Sequence, residues 1–211
     1  MKGAVERTLL AWGIMAALVL AGCSAGTSTV ATEPSIEFVG RFSGLDAFVG
    51  IVTRGSDVAA YVCDGAGNTI SVADWFTGKV SKGGFDLALD EGRRLTGTIN
   101  PDAVIVGVLR TSAGDTFVYQ APRARGAARL IRADGTLANV SYTAGWIVLS
   151  DGEQRGGIQS RGAKPALYPA PPAPSTRIQT LAIPNLGTVA VSSLNDCRPG
   201  SCPCPPGICR P

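Results

Sequence analysis

Four thiols stand close together near the end of the chain, Cys197, Cys202, Cys204 and Cys209, in the pattern C-x4-C-x-C-x4-C. Thiols at this density can pair as disulfides or hold a tetrahedral zinc ion. The zinc pattern is matched weakly, because a single residue separates Cys202 from Cys204 and the prolines at 199, 203, 205 and 206 limit how the sulfurs converge. Cys63 stands apart at the end of an apolar run and reads as a small buried hydrophobe. The sequence has no histidine, which removes the Ser-His-Asp, Cys-His and histidine-zinc arrangements together. No G-x-x-x-x-G-K phosphate loop occurs, and neither a metal nor a cofactor is expected.

Carboxylates remain for acid-base chemistry. Asp151 and Glu153 share a turn and Asp74 adjoins Trp75. Cleaving a glycosidic bond needs two carboxyl groups across a substrate, and adjacency in sequence does not supply that separation. Asp64-Gly65-Ala66-Gly67-Asn68 offers oxygen ligands for calcium, but it lacks the later acidic positions of a helix-flanked calcium loop and reads as a hairpin turn. Arg123, Arg125, Arg129 and Arg132 form the one concentrated basic stretch, with no acid between them. It is a candidate contact for an anionic polymer, a lipid head group or a protein partner. Trp75, beside Phe76 near a turn, is a candidate ligand platform, whereas Trp146 lies inside an apolar strand and reads as core.

The elements that must position these groups read as strands. Phe85, Leu87 and Leu89 alternate with Asp86 and Asp90, and after the turn Asp90-Glu91-Gly92 the residues Leu95, Gly97 and Ile99 alternate with Arg94, Thr96 and Thr98. Period two with a turn between is a hairpin with one buried face. Residues 103–109 are apolar on both faces and β-branched, which suggests a central strand covered on both sides, with Val104 and Val106 in the core. Further strands are expected at residues 47–53, 58–63, 69–72, 116–120 and 145–149, with turns at 82–84, 112–115, 133–135 and 150–152. One short helix could run over residues 124–133. Strands this short and regular predict an all-β fold, a small antiparallel meander barrel or a sandwich, over residues 36–162.

The start of the chain has a different character. Lys2 and Arg7 precede an apolar run from Leu9 to Leu20, and Leu20-Ala21-Gly22-Cys23 follows. A basic start and a short apolar stretch are the layout of a secretory leader. Its last residues resemble the bacterial lipobox, in which the chain is cut before a cysteine carrying diacylglycerol. That resemblance implies a leader over residues 1–22, a lipidated tether over 23–35 and a membrane partner engaged through Cys23 on the extracytoplasmic side. Removing Lys2 and Arg7 from 19 basic residues, and Glu6 from 16 acidic ones, leaves the signs nearly balanced. Near neutrality excludes a dedicated nucleic-acid binder, which needs a basic surface for phosphates. Export also favours disulfides, so the tail thiols are expected to pair, either 197 with 204 and 202 with 209, or 197 with 202 and 204 with 209. Residues 163–187 read as a proline-stiffened spacer and 188–211 as an edge strand followed by the cysteine-rich tail.

The domain portion resembles an uncharacterised exported domain of actinobacteria. The pieces that carry the likeness are Ala60-Tyr61-Val62-Cys63-Asp64-Gly65 and Gly145-Trp146-Ile147-Val148-Leu149, with Asp151-Gly152 just after. It implies a domain over roughly residues 45–158 and no known activity. A non-enzymatic binding or structural lipoprotein of the envelope is the expectation. A hydrolase or enzyme modulator using an acidic cleft or the cysteine tail is the alternative.

Overall fold

A computed structural model describes residues 34–162, 164–174, 180–183 and 185–196. All of these belong to one compact unit, Glu33–Pro211. Its first eight strands are β1 (Ile36–Phe42), β2 (Phe48–Arg54), β3 (Asp57–Cys63), β4 (Ala73–Ser81), β5 (Gly84–Ala88), β6 (Arg94–Ile99), β7 (Val104–Arg110) and β8 (Thr116–Pro122). Each pairs antiparallel with the next, and β8 returns to β1 to close a barrel. The remaining strands are β9 (Arg129–Leu137), β10 (Val140–Val148), β11 (Gln154–Arg161), β12 (Leu167–Pro169), β13 (Thr180–Ile183) and β14 (Gly187–Asp196). They form a six-stranded antiparallel sheet in the order β12-β11-β10-β9-β14-β13.

The barrel interior is filled by side chains. Phe38, Phe42, Phe76, Phe85, Leu87, Leu95, Ile105, Leu109 and Tyr119 make its core, as befits an eight-stranded barrel whose bore is about one layer of side chains wide. Glycines make room for the larger rings: a Cβ at Gly107 would lie 2.5 Å from the Tyr119 hydroxyl oxygen, which donates to the Thr96 carbonyl at 2.9 Å. At Gly40 the β1 backbone crosses β8 so closely that a Cβ would meet the Gln120 carbonyl oxygen at 1.9 Å. Closure of the barrel therefore depends on glycine at that position.

A second apolar layer lies between the outer wall of β1–β4 and the six-stranded sheet, built from Val39, Phe48, Tyr61, Cys63, Trp75, Leu130, Ile147 and Leu149. This layer buries β2 and β3 on both faces. Glu37 of β1 is buried, and its carboxylate accepts the Leu130 N–H of β9 across the layer. The far face of the sheet carries a third core, including Ile131, Tyr142, Trp146, Ile158, Leu181, Ile183 and Val189, because the sheet curls over itself.

The expected β5–β6 hairpin forms with Leu87 opposite Leu95. Phe85, Leu87, Leu95 and Trp146 are buried, while Leu89 and Ile99 are partly buried against the barrel core. Several expectations are corrected. Strand β7 is covered on one side only: Ile105 and Leu109 point inward, and Val104 and Val106 lie half-exposed on the outer wall. The phase was ambiguous because both faces of this strand are apolar. The expected helix over 124–133 is instead a connection over residues 124–128 followed by the start of β9, since Leu130 and Ile131 bury opposite faces of a strand in two different cores. The turn expected at residues 133–135 falls at Ala138-Asn139, whose φ angles of 48° and 63° suit the two-residue hairpin joining β9 to β10. Residues 163–187 are not simply a spacer, because β12 and β13 pair into the sheet. The expected edge strand is β14, which lies between β9 and β13.

Candidate functional site

A concave surface with charged groups, a groove of about 820 Å3, lies over the β1/β8 seam. Alternation along β1 and β8 turns Val39, Arg41, Gln120 and Pro122 outward into it. The turn before β7 contributes Asp102 and Ala103, the connection to β9 contributes Arg123 and Arg125, and the turn after β10 contributes Leu149 and Asp151. Ala103 holds φ at 55°, a left-handed conformation that costs an L-residue about 1 kcal/mol. Its carbonyl accepts the Arg123 N–H at 3.1 Å, so this strained corner fixes the backbone beneath one arginine.

The basic stretch does not act as a unit. Arg123 and Arg125 are exposed in the groove and carry no ion pair among the described residues. Arg129 donates to the Pro174 carbonyl at 3.0 Å. Arg132 is 2% exposed, forks onto Asp134 at 2.8 and 2.9 Å, and lies 4.9 Å above the Trp75 ring. As a strand, β9 points Arg132 at the barrel wall, which no charge pattern in the sequence reveals. Trp75 is correspondingly no open platform: it is buried and stacked on Tyr61 with centroids 4.5 Å apart.

The carboxylates singled out as candidate acids are engaged by arginines. Arg41 donates to Asp151 at 2.7 Å and also to Glu153. The Glu153 contact chiefly holds the Arg41 guanidinium above its ordinary pKa, while the Glu153 N–H, then Arg41, holds Asp151 below the usual carboxylate value. Arg41 and Arg155 flank the Phe48 ring at 4.7 and 4.5 Å, so the turn carrying Asp151 and Glu153 is docked on the barrel. Asp74 is buried, and its two carboxylate oxygens accept from Arg93 at 2.6 and 2.7 Å. Asp64 accepts the N–H groups of Ser71 and Val72 at 2.9 and 2.8 Å, which makes it a loop-closing residue. Arg41 is among the groove residues that sequence reasoning missed: a lone outward arginine carries no local signal.

Cys63 is a free, fully buried thiol, and no disulfide occurs among the described residues. The expectation of disulfides is corrected accordingly; Cys23, Cys197, Cys202, Cys204 and Cys209 lie outside the described residues. Burial pushes the Cys63 thiol up from 9.0 to about 11, so it holds its proton where a nucleophile would have lost it. Between pH 9 and about 11 the unfolded chain therefore releases a proton that the folded chain keeps. This contribution to stability is complete below pH 9 and declines as pH rises, by about 2 to 3 kcal/mol in all. Thermal unfolding of the Cys63→Ala variant should show a shallower loss of Tm from pH 9 to 11 than the parent chain; parallel slopes would contradict the assignment.

A second cleft, about 450 Å3, lies beside Trp146, Pro171 and Ile183. The Trp146 indole N–H is satisfied by the Pro171 carbonyl at 2.8 Å, and the Gln154 side-chain oxygen accepts the Ala173 N–H at 2.8 Å, so its polar edge serves the fold. Among the described residues no group of three or more acidic or cysteine side chains converges as a metal site, and no helix is long and apolar enough to cross a membrane. No family model matches the chain, and no curated protein and no solved structure matches it.

Proposed function

We propose that this chain is a non-enzymatic binding module of the cell envelope, held to the outer side of a membrane through lipidated Cys23, with the Arg123/Arg125 groove as its site for an anionic component. The observation that carries the reading is the pair of exposed guanidiniums in a concave surface without ion-pair partners among the described residues. Guanidinium groups present planar, permanently charged donors suited to carboxylate and phosphate oxygens. The leader ending in Leu20-Ala21-Gly22-Cys23 supports the anchoring.

The compact unit Glu33–Pro211 carries the residues of the three apolar cores and lacks Cys23, so it is tested without lipid. It should sediment with vesicles of phosphatidylglycerol and phosphatidylcholine more than with phosphatidylcholine alone. Salt should weaken the association, since exposed charges are screened over about 8 to 10 Å at ordinary ionic strength. Arg123→Ala/Arg125→Ala should reduce it several-fold; equal sedimentation of parent and variant would reject the groove as the site. Mass spectrometry of native protein should find diacylglycerol on an amino-terminal Cys23, and an unmodified cysteine there would reject the anchor.

A further inference from the structure

We infer that the groove takes an anionic amphiphile, a single carboxylate or phosphate head carrying an acyl chain, with the head on Arg123 and Arg125 and the chain across Val104 and Pro122. This rests on the reading of the groove as an anion site and narrows it to one ligand chemistry.

Charge is the first argument. The groove is lined by Arg41, Arg123 and Arg125 against Asp102 and Asp151, and Arg41 is already engaged by Asp151 and Glu153. Arg123 and Arg125, the two lining guanidiniums outside that ion pair, match one anionic head, whereas a polyanion with repeated charges calls for a continuous row of cations. Second, the base of the groove is apolar: Val39, Ala128 and Leu149 belong to the layer between barrel and sheet, are at most 6% exposed, and close the groove from below. Val104 and Pro122 add apolar surface on the barrel wall. The size, about 820 Å3, lies within the roughly 300 to 1,000 Å3 of small-molecule sites.

The head site is also held in place. The Arg123 N–H is bonded to Ala103, and the Arg125 carbonyl accepts the Ala128 N–H at 3.1 Å in a turn whose Gly126 has φ of 63°. Fixed backbones beneath both guanidiniums lower the ordering cost of binding.

Isothermal titration of Glu33–Pro211 with laurate, below its micellar concentration, is expected to give saturable one-to-one binding. Arg123→Ala/Arg125→Ala should weaken it about tenfold or more, the usual loss for charge-assisted hydrogen bonds. Gln120→Trp, at an exposed groove position, should block the chain path and abolish binding while leaving the unfolding temperature unchanged. Dodecyltrimethylammonium, with the same chain length and opposite charge, and inorganic phosphate, with a head and no chain, should each bind at least about tenfold more weakly. The amphiphile assignment is overturned if laurate binds the two variants as well as the parent, or if either comparison ligand matches laurate. Vesicle sedimentation that depends on Arg123 and Arg125 without laurate binding would defeat this inference and leave the anion-site reading standing; loss of both would defeat the two together.

Discussion

Truncating Leu87 to alanine is expected to destabilise the protein by about 2 to 5 kcal/mol, whereas Val106→Ala should cost less than about 1 kcal/mol. Leu87 is 1% exposed inside the barrel, packed over Gly78, where an added Cβ would approach its Cδ2 to 2.6 Å. Removing its branched end leaves a void that close-packed barrel walls cannot fill. Val106 lies half-exposed on the outer wall of β7. Urea or thermal unfolding of the two variants checks the strand phases directly. Similar losses for both would mean that β7 faces the other way.

Arg132→Met should destabilise by about 2 to 3 kcal/mol, below the usual cost of breaking a fully buried pair because the Asp134 side chain is 27% exposed. Methionine keeps apolar contact with Trp75, so the loss reports the removal of the guanidinium from the Asp134 carboxylate. Changing Asp134 to asparagine in the same chain removes that charge while retaining an acceptor for Thr143, whose hydroxyl donates to Asp134 at 2.8 Å. The double variant should recover a good part of the loss. Arg123→Ala/Arg125→Ala, two exposed changes in the same basic stretch, should leave stability within about 0.5 kcal/mol of the parent. Equal destabilisation by Arg132→Met and by the Arg123/Arg125 pair, measured by urea unfolding, would contradict the burial of Arg132.

The division of that stretch matters for function. Charge density in a sequence treats four arginines as one patch, but β9 directs Arg132 into the layer between barrel and sheet, and Arg129 donates to the chain near Pro174. Only Arg123 and Arg125, in the connection before β9, stay in the groove. The groove is completed by Arg41, Asp102 and Leu149, which come from three other parts of the chain.

What the sequence by itself determined was local. Strict alternation in β5 and β6 specified both the hairpin and its buried face, because period two leaves one set of side chains apolar. Missing histidine removed whole classes of catalysis, and short strands with regular turns indicated an all-β chain that matches the observed antiparallel architecture. Tertiary structure alone decided whatever depended on which surface covers which. Strands β3 and β7 are both apolar on two faces, yet β3 is buried on both sides under the second sheet and β7 borders solvent. No pattern within either strand distinguishes them, since burial is conferred on β3 by β10 and β11, far along the chain. For the same reason a tryptophan that reads as a platform is stacked on Tyr61 under Arg132, and acids that read as a pair for chemistry are docked onto Arg41.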